Sequence, residues 1–350
     1  MKKGLSRIIF LLFFCFALTF LSGCSLGKPE GGFYKSTDSG NSFEDFSGDE
    51  EEVNLIGKNI ISLEVDKGIP GQVFAGTESS GLYLTRDGGE TWLKDNSGFN
   101  RVTEIKKTSS GKVIYIAAIR GGRGKVLKSG DEGENWEEIY TEKNEGSFVT
   151  ALAVAPGNDE VIYISNTKGG IFKTVDEGSS WKNLEWIDGY VRKFEFDKIN
   201  SEVMYLATNS SGLLKTENRG EEFDKILEKN NIYNVVASPE GEGVVYASTP
   251  DGLQRSNDRG ENWEIINTLT KPEELVSFGL AVNPARPSEI YYASGKAFYK
   301  STNRGDTWTP IQFDINTSLD IIQPDSGNPS TLYLGTRSRG SGFNLLPPMN

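Results

Sequence analysis

Seven times along this chain one turn recurs. It reads KSTDSGNSF from Lys35, LTRDGGETW from Leu84, KSGDEGENW from Lys128 and KTVDEGSSW from Lys173, then KTENRGEEF from Lys215, RSNDRGENW from Arg255 and KSTNRGDTW from Lys300. The fourth position is Asp38, Asp87, Asp131, Asp176, Asn218, Asp258 or Asn303, and a glycine follows two residues later in every copy, with a period of 40 to 49 residues. Five of the six tryptophans close a copy, and Phe43 and Phe223 close the other two. A unit that short cannot bury a hydrophobic face alone, so neighbouring units must stack on one another.

The residue types explain the turn. A tight turn leaves backbone N–H groups outside the strand ladder, and an Asp or Asn side-chain oxygen accepts from them as in an Asx-turn. Asn serves nearly as well as Asp, which accounts for Asn218 and Asn303. The glycine reaches positive φ without a Cβ penalty, and the closing Trp or Phe is a large apolar anchor. These copies resemble the Asp-box, or BNR repeat, of sialidases, sortilin-type receptors, two-propeller xyloglucan hydrolases and a photosystem II assembly-factor family. The resemblance covers nearly the whole chain after its N-terminal segment. It implies that each copy is the hairpin between the third and fourth strands of a propeller blade, and that its Asp fastens the fold and takes no part in catalysis.

Residues 151–184 show the unit. A strand over Ala151–Val154 ends at Pro156, and a Gly-Asn-Asp turn leads to a strand over Val161–Ser165. A third strand spans Gly170–Thr174, and a fourth begins at Trp181. This is a four-stranded antiparallel meander. Seven such units predict an all-β chain, a single seven-bladed β-propeller. The first box has no first or second strand before it, and Ser318–Thr336 resembles two strands with no box after them. One blade built from both ends closes the ring and leaves no open edge between blades. Gly342–Leu346 competes for the third-strand position as an extra edge strand. The expected organisation is a signal over 1–23, a tether over 24–32, the propeller over 33–346 and a tail over 347–350.

The N-terminus reads as a targeting segment. Lys2, Lys3 and Arg7 precede an apolar run over Ile8–Leu21, which is short for a membrane span. The run ends in Leu21-Ser22-Gly23-Cys24, which resembles the lipobox of bacterial lipoproteins. That resemblance implies lipidation at Cys24, with acyl chains such as palmitate, and export to an outer membrane or cell surface. Of the two cysteines, Cys15 lies in the removed segment, so Cys24 has no intramolecular partner.

The net charge of −12 becomes more negative once the signal is removed, which disfavours nucleic acid as a partner. The absence of histidine removes the commonest general base and metal ligand, so neither a metal site nor a cofactor is expected. Basic loops between second and third strands are the candidate binding face: Arg120, Arg123 and Lys125 in one, Arg337 and Arg339 in another. Arginine suits paired recognition of carboxylate or phosphate, and the resembled assembly-factor family also carries arginines on one propeller face. Tyr190 and Tyr233, which enter first strands, are candidates for the channel mouth. The expected function is a tethered, monomeric, non-enzymatic scaffold that binds a protein, peptide or glycan. The alternative is a sialidase-like or other glycoside hydrolase, which needs two carboxyl groups about 5–10 Å apart. Its candidates are Glu185, Asp188, Glu273, Glu274 and Asp314, and no catalytic pair is legible among them.

Overall fold

A computed structural model describes residues 31–240, 243–271, 279–312 and 315–338. Among them are 28 strands arranged as seven four-stranded antiparallel sheets. The sheet around residues 151–184 follows the expected meander, with β11 at Val149–Val154, β12 at Ile162–Asn166, β13 at Gly170–Thr174 and β14 at Lys182–Trp186. Each blade is a bladed β-propeller unit of this kind, and the first strands of successive blades lie side by side around a central axis.

The closure blade, blade 1, combines the two ends of the described chain. Strands β27 (Ser318–Pro324) and β28 (Leu332–Arg337) supply its first and second positions. Strands β1 (Phe33–Ser36) and β2 (Glu44–Asp45) supply the third and fourth. Phe33 pairs with Gly335 and Ser36 with Leu332 in antiparallel register. The Thr336 hydroxyl accepts the Gly32 N–H at 2.6 Å, which seals the join at its upper end. The suggested extra strand at 342–346 lies outside the described residues.

Burial follows position in the blade. Second strands such as Val73–Thr77 (β4) and β12 are buried at every residue, whereas fourth strands such as β2 are exposed. Each second strand carries one buried aromatic at a matching place: Phe74, Tyr115, Tyr163, Tyr205, Tyr246, Tyr291 or Tyr333. The hydrophobic clusters straddle pairs of blades. One joins Tyr163 and Ile171 of blade 4 to Phe194, Met204 and Leu214 of blade 5. Burying one large aliphatic or Phe side chain stabilises a fold by roughly 1.5–3 kcal/mol, so the seams between blades are the core of the molecule.

The seven boxes use one hydrogen-bond scheme. In the box of blade 4, Thr174 Oγ1 donates to Asp176 Oδ1 at 2.6 Å, the Ser180 N–H donates to the same oxygen at 2.8 Å, and Ser180 Oγ donates to Oδ2 at 2.6 Å. In the last box the Asn303 amide takes over the second role by donating: its Nδ2 bonds Thr307 Oγ1 at 2.9 Å while Oδ1 accepts the Thr307 N–H. Hydrogen bonds from Asn135 and Ser129 hold the Asp131 carboxyl at about 2, and Asp176 and Asp258 sit at the same value for the same reason.

The box holds two left-handed residues where the sequence indicated one. Besides the glycine, the residue before it has φ near +60° in Ser39, Glu132, Glu177, Arg219, Arg259 and Arg304, and Gly88 fills that place in blade 2. The second left-handed turn aims a backbone N–H at the turn between the first two strands of the blade. Glu177 N bonds Glu160 O at 3.1 Å, and Arg219 N bonds Glu202 O at 3.0 Å. Three of the closing indoles reach backwards across the seam: Trp92 Nε1 donates to Phe46 O at 2.9 Å, Trp136 Nε1 to Asp95 Oδ2 at 3.1 Å and Trp181 Nε1 to Ile139 O at 3.2 Å, whereas Trp263 Nε1 bonds Gly260 O of its own box.

Candidate functional site

First strands run from the face that carries the second-to-third-strand loops toward the face that carries the boxes. Residues that open a first strand, or end a second one, therefore ring one mouth of the channel. Three of them are arginines from three blades: Arg101 opens β7 (Arg101–Lys107), Arg192 is second in β15 (Val191–Phe196), and Arg337 ends β28. All three line a cavity of about 210 Å³ along the axis, with Ile119, Phe148, Tyr233 and Asp320.

The pairing at this mouth is uneven. Glu78, in the loop after β4, receives two guanidinium groups on one oxygen: Arg337 Nη2 at 2.6 Å and Arg101 Nη2 at 3.6 Å. Its other oxygen accepts Asn59 Nδ2 at 2.8 Å. Arg337 also faces Asp320 at 3.9 Å. Arg101 is left short of acceptors. Its side chain is 8% exposed, and its Nε and Nη2 make no hydrogen bond among the described residues. Buried donors without acceptors are costly, and charged ones more so. Burial, and then the charge of Arg337, push the Arg101 guanidinium below its ordinary value, against the pull of Glu78. Burial also lowers Arg192. Arg192 donates to Asn231 Oδ1 at 3.2 Å and lies 5.5 Å from the Tyr190 ring centroid, a cation–π distance.

Below the arginines the channel is held by its own polar ladder. Thr103 Oγ1 bonds Val149 O at 3.0 Å, and Thr150 Oγ1 bonds Val191 O at 2.8 Å, so each hydroxyl ties one blade to the next. Deeper still, Lys106 pairs with Glu104 at 2.7 Å, and Glu195 pairs with Lys198 at 2.6 Å and Lys193 at 3.5 Å. Burial pushes the Glu64 carboxyl up, with Lys106 opposing it. Among the described residues no group of three or more His, Cys, Asp or Glu is placed to hold a metal ion.

The residues singled out from sequence divide. Arg337 and Tyr233 line the cavity, and Tyr190 stacks against Arg192. Arg120, Arg123 and Lys125 do not line it. They belong to the β8–β9 hairpin (Ile114–Arg120 and Arg123–Ser129), where Arg123 faces Glu145 at 3.7 Å and Lys125 faces Glu138 at 2.6 Å. The two basic loops share a face but not a site, because the hairpin carries its charges outward to acidic partners in its own blade. Arg339 and Cys24 lie outside the described residues, as do Glu273, Glu274 and Asp314. Glu185 sits on the exposed outer strand β14, where it accepts the Trp186 N–H at 2.9 Å. The Asp188 carbonyl accepts Ser211 Oγ at 2.9 Å. Arg101 and Arg192 were not singled out. Their signal is a basic residue among the first two of a first strand, where the other blades place Ile60-Ile61, Val149-Thr150, Asn234-Val235, Leu280-Ala281 or Ser318-Leu319.

No family model matches the sequence, and the search of curated proteins returns no match. Solved structures do share the fold. The GH74 xyloglucanase from Xanthomonas campestris superimposes with a TM-score of 0.67 at 15% identity, over 79% of this chain and 51% of that one. YCF48 from Cyanidioschyzon merolae superimposes with a TM-score of 0.62 at 16% identity, over 79% of this chain and 95% of that one. A YCF48 bound to D1 peptide gives 0.60 at 19% identity, over 81% and 94%. This chain thus spans about half the length of the xyloglucanase and nearly all of YCF48. At these identities the likeness is one of fold: a seven-bladed β-propeller shared by enzymes and by a peptide-bound protein.

Proposed function

We propose that this chain is a non-enzymatic binding module, exported and lipid-anchored through Cys24 to a bacterial outer membrane or cell surface, whose channel mouth captures a carboxylate of a protein or peptide partner. The observation that carries this reading is the convergence of three arginines, Arg101, Arg192 and Arg337, on one cavity, with Arg101 and Arg337 sharing a single oxygen of Glu78. A carboxylate entering there would accept from the arginines of the mouth and relieve the crowding of two guanidinium groups on Glu78. Charged hydrogen bonds of this kind contribute about 1.5–3 kcal/mol each. The peptide-bound YCF48 supports a protein or peptide ligand over a glycan, and its length matches a single propeller.

The test is capture of a partner from solubilised membranes with three proteins: native, the mouth double variant Arg101→Gln with Arg192→Gln, and the outer double variant Arg120→Glu with Arg123→Glu. The reading holds if the mouth variant, folded by circular dichroism, loses the partner while the outer variant keeps it. Retention by the mouth variant, or loss with the outer variant alone, contradicts it.

One observation favours a second reading, glycoside hydrolysis. Among the described residues with a displaced value, Glu64 is the one carboxyl pushed upward, by burial, and a general acid needs that direction. Cleavage of xyloglucan or other oligosaccharides by the native protein, abolished by Glu64→Gln, would establish it.

A further inference from the structure

We infer that the arginine-lined mouth is turned toward the membrane, so that its carboxylate is presented by an extramembrane segment of an integral membrane protein. The inference rests on the proposed anchoring at Cys24 and adds to it the place where the chain enters the propeller. The described chain begins at Gly31, packed against Thr336 and Thr317, with its carbonyl accepting the Gly57 N–H at 3.0 Å. Thr336 is the neighbour of Arg337, and the Ser338 N–H bonds Asn59 Oδ1, whose amide nitrogen donates to Glu78. The tether thus joins the disc on the mouth face, beside the mouth itself. Strand β1 leaves that point toward the box face.

Reach then limits orientation. From Cys24 to Gly31 is a span of seven residues, at most about 25 Å when fully extended. The longest strands separating the two faces have seven residues, about 23 Å at 3.3 Å each. A tether leaving the mouth face would use its whole length crossing the rim before reaching the level of the boxes. A membrane lying beyond the box face is out of reach, whereas one facing the mouth needs no detour. The recess selects the kind of partner. The Arg101 side chain is 8% exposed within the mouth, so a lipid phosphate would have to leave the headgroup plane to meet it, and an extended peptide would not.

The test uses the full lipidated chain in phosphatidylcholine vesicles that carry a headgroup-level quencher. The thioether at Cys24 leaves single introduced cysteines free for a fluorophore, one at Ser210→Cys on the mouth face and one at Ser201→Cys on the box face of the same blade. Severalfold stronger quenching at 210 than at 201 is expected, and a 30-residue Gly-Ser insertion after Lys28 should erase the difference. Equal quenching, or stronger quenching at 201, overturns the orientation. Loss of vesicle association in Cys24→Ser tests the anchoring separately, since native protein that fails to associate would sink the anchoring first. For the partner, vesicles are loaded with a membrane-spanning helix bearing a short acidic tail. The tail should crosslink to the mouth in native protein and at least tenfold less in Arg101→Gln. Binding of the anchor-free Cys24→Ser protein to vesicles with phosphatidylglycerol but no helix, lost when Arg101→Gln is added, would assign the mouth to lipid and overturn the partner.

Discussion

Two adjacent residues in the box of blade 4 should respond very differently to substitution, although both are left-handed. Gly178 has φ of +95°, and a Cβ added there would lie 2.7 Å from Ile139 Cδ1 and 2.8 Å from Ile139 Cβ, across the seam in blade 3. Gly178→Ala combines the left-handed penalty, about 1–2 kcal/mol, with overpacking against a partly buried side chain, about 1–3 kcal/mol. A loss of roughly 2–5 kcal/mol is expected. Glu177 already carries a Cβ at φ of +55°. Glu177→Gly relieves about 1 kcal/mol of strain, returns a similar amount as unfolded-state entropy, and removes a half-exposed ion pair with Lys128 worth under about 1 kcal/mol. Its stability should stay within about 1 kcal/mol of native. Urea unfolding followed by far-ultraviolet dichroism, with Trp181 emission as a local probe, compares the two. Equal losses would refute the assignment of separate steric roles, as would a tolerated Gly178→Ala.

Other perturbations reach other parts of the account. Lys107 is 5% exposed at its side chain and pairs with Asp66 and Glu132 at the box face. Lys107→Met strands a buried Asp66 and should cost about 3–5 kcal/mol by urea unfolding. Thr150→Val removes a hydroxyl that bridges blades 4 and 5, at about 1 kcal/mol, with a similar effect expected for Thr103→Val between blades 3 and 4. Asp38 and Asp87 reach about 2 because bonds from Ser42 and Thr91 outweigh their burial, and Asp131, Asp176 and Asp258 share that value. Depressed folded values mean this stabilisation is complete above the unfolded pKa, near 3.9, and is lost as pH falls toward 2. Urea midpoints measured from pH 5 to pH 2 should therefore fall, and should fall less when those five residues are Asn.

The boxes were legible because each is contiguous: the Asp, the glycine and the Trp act within nine residues, and the spacing records the chemistry. The closure blade was legible from what each end lacked. The second left-handed residue was hidden because six copies place Ser, Glu or Arg there, residues that do not advertise positive φ. The mouth was hidden for a different reason. Arg101, Arg192 and Arg337 come from three blades, and only closure of the ring sets them around one axis. Arg120 and Arg123 attract notice because they are neighbours in sequence, yet a β-hairpin projects them outward beside Glu138 and Glu145.

The central claim is that the arginine-lined mouth receives a carboxylate, with Arg101 among its donors. It is tested most directly by calorimetric titration of the native protein with a short acidic peptide and with the same peptide after its carboxylates are converted to amides. Binding of the acid alone is expected. The loss on conversion to amides, or in Arg101→Gln, should be about tenfold to a hundredfold, from one charged hydrogen bond of about 1.5–3 kcal/mol. Equal affinity for acid and amide, or an acid affinity unchanged in Arg101→Gln, would contradict it.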